Sequence, residues 1–157
     1  MAPRRHSFPF SCGVLGLISF VCGAWVVDCY GKNFENWSST IPPGRFHAVA
    51  VIAGGDTRNA LRRAMQVRND LREGGIETMK VSGRWKNTTQ AMSEICSPSA
   101  PQAVDGMVVV QYDYVVLYDC KTSKAAFEMQ GSSEADLKPI TNHLIRYIKR
   151  PPGSYPR

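Results

Sequence analysis

The segment Val49–Met65, VAVIAGGDTRNALRRAM, changes character twice along its length. It begins as a short apolar run rich in β-branched residues, which predicts a buried strand. Gly54 and Gly55 then end the strand, and an arginine-rich helix follows with Asp56 or Thr57 as its N-cap. This order of strand, glycine turn and helix is found at phosphate-binding sites and also at plain corners of α/β folds.

The glycine turn has two interpretations. It lacks the long glycine loop and the Lys–Ser/Thr pair of a P-loop, and it lacks the third glycine of a dinucleotide fingerprint. We therefore predict a corner closed by a helix cap. In the alternative, the free N–H groups of the helix N-terminus bind an anion or the phosphate of a nucleotide. That site would consist of Gly54, Gly55, Thr57 and Arg58.

The helix after this turn is amphipathic, with a predicted buried face and a basic face. On a helical wheel the basic stripe consists of Arg58, Arg62 and Arg72. A basic stripe serves solubility, or it contacts an acidic partner or lipid headgroups. The residues predicted to be buried are Ala60, Leu61, Ala64, Val67 and Leu71.

The rest of the chain alternates strands and helices and then forms a hairpin. We predict a strand at 76–83, a short helix at 87–95, one long strand at 107–119 with a hairpin partner at 125–130, and a final helix. The predicted fold is α/β, with a mixed sheet of about four to five strands in the order β-α-β-α-β-β-α. The first strands are parallel, the last are antiparallel, and the helices lie mainly on one face.

The long predicted strand, MVVVQYDYVVLYD, carries three tyrosines at even spacing. Tyr112, Tyr114 and Tyr118 would therefore share one face of that strand. They are either part of the core or, if no helix covers that face, an aromatic surface for a partner.

Composition limits the function classes. The 157 residues are 43% hydrophobic and 20% charged, which is typical of one globular domain. The net charge of +6 is small, and aromatic residues do not interleave with the basic ones, so no nucleic-acid partner is expected. The chain has no GxSxG or HExxH motif, and its histidines are far apart in sequence. We predict no catalytic residues, no metal and no cofactor.

The amino terminus predicts export. A basic start and an uncharged apolar run indicate a signal peptide over residues 1–24, or an uncleaved membrane anchor as the alternative. Residues 25–46 are predicted to be a polar linker, 47–150 a single α/β domain and 151–157 a loose tail. The protein would then be periplasmic, membrane-anchored or secreted.

Export makes the remaining cysteines informative. Cys96 and Cys120 are predicted to form a disulfide, with buried free thiols as the alternative. Cys29 is a candidate for lipidation, although Asp28 stands where a lipoprotein signal has a small residue.

The runs HAVAVIAGGDTRNALRRAMQVRNDLREGGIETMKV and DGMVVVQYDYVVLYDCKTSKAAFEMQG, followed by a final helix, suggest a family. In element order the chain resembles the amino-terminal domain of the TolB translocation protein. This domain type also occurs in envelope lipoproteins that activate peptidoglycan synthases and in the curli-secretion lipoprotein. The resemblance implies a non-catalytic α/β module that binds an envelope protein. Two features depart from that pattern: no propeller or pore-forming region follows, and the lipobox is defective.

The predicted function is therefore an exported accessory module that binds a protein partner in the cell envelope. The anion-binding alternative remains open beside it. The residues predicted to contact the partner are Arg58, Arg62, Arg72, Tyr112, Tyr114 and Tyr118.

Overall fold

In the computed structural model, the described residues are 34–37, 41–55, 57–81, 83, 85–112, 114–131 and 137–151. The predicted signal peptide, Cys29, Asp56 and residues 152–157 lie outside these ranges. The elements are β1 (Phe34–Trp37), β2 (Ala48–Ala53), α1 (Arg58–Glu73), β3 (Glu77–Met79), α2 (Thr88–Ile95), β4 (Gly106–Val110), β5 (Tyr114–Asp119), β6 (Ala125–Gln130) and α3 (Leu137–Lys149). None of the helices within the described ranges combines the length and apolar character that crossing a membrane requires.

The strands form one mixed sheet in the order β1-β6-β5-β4-β2-β3. β2 is parallel to both β3 and β4, whereas the pairs β4–β5, β5–β6 and β6–β1 are antiparallel. The predicted α/β class, with early parallel strands and a late antiparallel part, is confirmed. With β1, the described residues form six strands, one more than the upper predicted number.

The helices cover the two faces of the sheet unequally. Val49 and Val51 of β2 belong to the larger core, which α1 and α3 complete. Ala50 and Ile52 point to the opposite face and join a smaller cluster with α2. This alternation follows from the two-residue period of a strand. Two of the three helices in the described part therefore share one face, as predicted.

The predicted linker over residues 25–46 is wrong at its carboxyl end. Residues 34–37 form β1, which pairs with β6. Ile41 and Phe46 are 1% and 4% exposed and belong to the larger core. The Tyr147 hydroxyl of α3 donates a hydrogen bond to the Ile41 carbonyl over 3.2 Å. The folded domain therefore begins before His47, because this polar-looking segment contributes apolar side chains that α3 covers.

The single long strand predicted at 107–119 is also wrong. The chain turns between β4 and β5, and the Gln111 N–H donates to the Tyr114 carbonyl over 2.8 Å. Val110 then pairs with Val115 across an antiparallel ladder. Both halves carry the β-branched residues of a strand, so composition alone did not mark the turn between them.

Two glycines, Gly74 and Gly75, follow the last residue of α1. Gly75 has a φ of 75°, a left-handed conformation that glycine adopts without the clash of a Cβ atom. The Gly75 N–H donates to the Arg72 carbonyl and the Ile76 N–H to the Leu71 carbonyl, both over 2.9 Å. These two bonds form a Schellman motif, which ends the helix and directs the chain into β3.

The disulfide between Cys96 and Cys120 is present, with Cα atoms 5.0 Å apart. Cys96 is the C-cap of α2, and Cys120 directly follows β5. The bond therefore joins the helix on the smaller core to the start of the β5–β6 turn. The chain on either side of Cys120 is held further by Asp119, which is fully buried and accepts hydrogen bonds from the Thr122 N–H and hydroxyl.

Candidate functional site

The outward face of α1 is where the structure places a basic and apolar surface. Arg58 and Arg62 lie on this face and are exposed. Leu61 and Met65, one helical turn apart, are 51% and 64% exposed. We call these four residues the α1 patch. The patch forms one wall of an open groove that continues along α1 to Asp70 and Glu73.

The prediction that Leu61 is buried is wrong. The buried side of α1 instead contains Arg63, which is 3% exposed, and Asp70, which is 8% exposed. Two contacts explain this orientation. The Arg63 guanidinium lies 4.4 Å from the ring centre of Tyr112, and Lys138 of α3 donates to Asp70 over 2.6 Å. Because these partners lie on one side of the helix, α1 is rotated relative to the predicted wheel, and Leu61 faces outward.

The three tyrosines do not form the predicted shared face. Tyr112 lies in the turn between β4 and β5, is 66% exposed and packs beside α1. Tyr114 and Tyr118 lie on one face of β5, and Tyr118 packs against the smaller core on the α2 side. The sheet therefore separates these two tyrosines from the arginines of α1. Of the predicted contact residues, four lie on the α1 side of the sheet: Arg58, Arg62, Arg72 and Tyr112.

Tyr114 is held by its neighbour on β6. Its hydroxyl donates to Glu128 Oε2 over 2.6 Å. Partial burial, followed by the hydrogen bond and the negative charge of Glu128, raises the pKa of Tyr114 to about 12. Tyr114 is therefore a neutral hydrogen-bond donor at physiological pH, and its hydroxyl already has an acceptor within the sheet.

The glycine turn at Gly54 and Gly55 is built as a corner. Thr57 is the N-cap of α1, and its hydroxyl accepts from the Ala60 N–H over 3.1 Å. The Gly54 N–H donates to the Val110 carbonyl over 2.8 Å. A Cβ atom on Gly54 would lie 2.4 Å from Gln111 Cγ, whereas one on Gly55 would meet nothing within 4 Å. The Thr57 hydroxyl and the Gly54 N–H, both needed by the anion alternative, are therefore already bonded within the chain.

Removing the helix cap should destabilise the protein more than removing the arginine beside it. Thr57→Ala is expected to lower the free energy of unfolding by about 1 kcal/mol, because the first turn of α1 loses an acceptor. Arg58→Ala should change it by less than about 0.5 kcal/mol, since Arg58 is exposed. Urea unfolding of both variants measures this difference, and Thr57→Ser, which keeps the hydroxyl, is the control. A melting temperature that rises with phosphate only when Arg58 is present would instead support the anion site.

Other candidate chemistry is sparse in the described ranges. No group of three histidine, cysteine, aspartate or glutamate side chains there could hold a metal ion. His47 is exposed and its Nδ1 lies 3.3 Å from Asp105, whose carboxylate also accepts from the His47 N–H over 2.8 Å. The carboxylate of Asp119, which is buried, lies 3.1 Å from Arg45. These carboxylates hold backbone and turns in place.

The two apolar residues of the α1 patch, Leu61 and Met65, were not predicted as part of the site. The signal was present, because Met65 lies between the arginines on the helical wheel and stands four residues after Leu61. Because Leu61 was assigned to the core, Leu61 and Met65 were not recognised as an exposed pair. The third predicted arginine, Arg72, is exposed near the C-terminal end of α1 and lines a separate open groove beside β3.

Comparisons with known proteins do not identify a family. No family model matches the chain, and no curated protein matches it. Among solved structures, the chain is similar to a PelC dodecamer from Paraburkholderia phytofirmans, at 17% identity over 75% of this chain and 94% of that chain, with a TM-score of 0.43. A point variant of the same dodecamer matches at 18% identity over 75% and 96%, with a TM-score of 0.41. At this identity and TM-score the similarity does not identify a function, and the TolB-type resemblance stays a prediction.

Proposed function

We propose that this chain is an exported, non-catalytic α/β module that binds a protein partner in the cell envelope through the α1 patch. The observation that carries the proposal is the exposure of Leu61 and Met65 beside Arg58 and Arg62. Methionine and arginine are enriched at protein interfaces, and single exposed apolar residues are far less informative than a neighbouring pair. Export rests on the basic start and apolar run of residues 1–24.

The free energy gained by covering the α1 patch fits a contact that forms and dissociates without unfolding of the domain. Full burial of a leucine or methionine is worth about 1.5–3 kcal/mol, so a partner that covers both residues gains a few kcal/mol. The surrounding arginines add hydrogen bonds to acidic or carbonyl groups at the rim. Because both apolar side chains point away from the core, changing them should leave the fold intact.

Site-specific crosslinking in the cells that produce the protein tests this proposal. A photoreactive amino acid at position 61 or 65 should give an adduct with another protein, and the same group at Lys124 on the β5–β6 turn should not. Leu61→Asp together with Met65→Asp should abolish co-purification of that partner while the melting temperature stays unchanged.

Four results would contradict the proposal. The first is equal adduct formation at Lys124, and the second is the absence of any protein adduct at positions 61 and 65. The third is an adduct with lipid alone, which would assign the α1 patch to the membrane surface. An adduct with the mass of two copies of this chain would replace the envelope partner with self-association.

A further inference from the structure

β3 forms one outer edge of the described sheet. Its residues Glu77, Thr78 and Met79 pair with Ala48–Ala50 of β2, and no strand in the described ranges pairs with its other side. An edge strand presents a row of N–H and C=O groups that another strand can pair with. β3 is only three residues long, so only a few of its backbone groups form hydrogen bonds with β2.

An open groove lies along this edge between β3 and the C-terminal half of α1. Its lining includes Arg68, Arg72 and Lys80, against one acidic side chain, Glu77. A carboxylate forms strong charge-assisted hydrogen bonds with a guanidinium group, and Arg68 and Arg72 both line the groove. The groove therefore combines backbone N–H and C=O groups of β3 that no described strand pairs with and a local excess of positive charge.

We propose that the β3 edge binds an extended acidic segment of the partner by strand addition. The inference rests on the proposed function and deepens it, because it states the chemistry of the partner. Backbone hydrogen bonds to β3 would supply affinity, and alternate side chains of the added strand would lie on the α1 side of the sheet. An acidic residue at every second position would then reach Arg68 and Arg72.

Charge argues against a second copy of this chain as the occupant. Two copies that pair through β3 would bring Arg68, Arg72 and Lys80 of one chain toward the same three cations of the other. Like charges placed together at an interface repel each other, whereas the cations of the groove attract an acidic segment. Arg68 and Arg72, which line this groove, belong to the same helix as the α1 patch, so a partner that covers the patch can extend a strand toward β3.

Binding of designed peptides to the full chain tests the inference. The probe is the labelled peptide Asp-Val-Asp-Thr-Asp-Val-Asp-Thr, compared with a version in which lysine replaces aspartate and a version N-methylated at alternate amides. Fluorescence anisotropy measures affinity, and amide hydrogen exchange reports on residues 77–79. Only the unmethylated acidic peptide should bind, and it should slow exchange at β3.

Substitutions locate the contact. Arg72→Ala combined with Lys80→Ala should weaken binding by about tenfold or more, the loss expected when charge-assisted hydrogen bonds are removed. Both side chains are exposed, so the fold should be unaffected. Lys121→Ala combined with Lys124→Ala removes two charges from the β5–β6 turn and is the matched control, which should bind like the unmodified protein.

Several outcomes would overturn the inference. They are no binding of the acidic peptide, equal binding of the methylated or lysine peptide, or binding without protection of residues 77–79. Protection that appears without peptide as the protein concentration rises would assign the edge to a second copy. Protection that only phosphatidylglycerol–phosphatidylethanolamine vesicles produce would assign it to the membrane. If crosslinks at positions 61 and 65 persist when the peptides fail, the proposed function stands and only strand addition falls.

Discussion

Replacing Tyr147 with alanine is expected to lower the free energy of unfolding by about 3–5 kcal/mol, the range for truncating a large buried aromatic residue. Tyr147 is fully buried in the larger core. Its ring centre lies 5.3 Å from that of Phe127 and 6.2 Å from that of Phe46. Truncation therefore leaves a cavity where α3, β6 and the segment before β2 meet.

The matched control is Tyr147→Phe, which keeps the ring and removes the hydroxyl. This variant should lose about 1 kcal/mol, because the Ile41 carbonyl loses a donor 3.2 Å away. Urea unfolding gives both values, provided that the slope of the transition is unchanged. An alanine variant within about 1 kcal/mol of the unmodified protein would show that α3 does not pack on this core as described.

Breaking the Cys96–Cys120 disulfide is expected to cost about 3 kcal/mol in the chain-entropy description of a cross-link. The two cysteines are 24 positions apart, so the reduced unfolded chain gains the freedom of a loop of that length. Cys96→Ser, Cys120→Ser and the double substitution should each lower the free energy of unfolding by a similar amount. The effects should not add, because each change breaks the same bond.

Reduction of the unmodified protein supplies the control for this prediction. A reductant should destabilise the unmodified protein as much as either substitution does, and it should not destabilise the double variant further. Mass measurement after alkylation, with and without reductant, confirms the state of the bond. Additive losses from the two single variants would contradict the prediction, since they would mean that each thiol acts by its own packing.

The α1 patch shows how far the sequence could define the candidate site. The arginines were identified because charge and helical period are visible in the chain itself. The exposure of Leu61 was not identified, since several apolar faces fit the helical wheel about equally well. The contacts of Arg63 with Tyr112 and of Asp70 with Lys138 selected one of them. Both contacts join residues that are far apart in sequence, so no local pattern contains them.

Local patterns in the sequence determine the short-range structure of this protein. Strand β2, the capped start and glycine end of α1, and helix α2 with its Asn87 N-cap follow from periodicity and cap chemistry within a few residues. The parallel early strands follow from the helices between them, because such crossovers connect parallel strands. The pairing of Cys96 with Cys120 followed from their being the cysteines left in the folded domain.

Tertiary structure alone decided the long-range features. The turn that splits residues 107–119 exists because β4 pairs with β5, although most residues there favour a strand. β1 forms because β6 offers it an open edge. The face on which each tyrosine lies depends on those pairings. Such choices depend on the free energy of contacts between distant segments, which a reading of neighbouring residues does not contain.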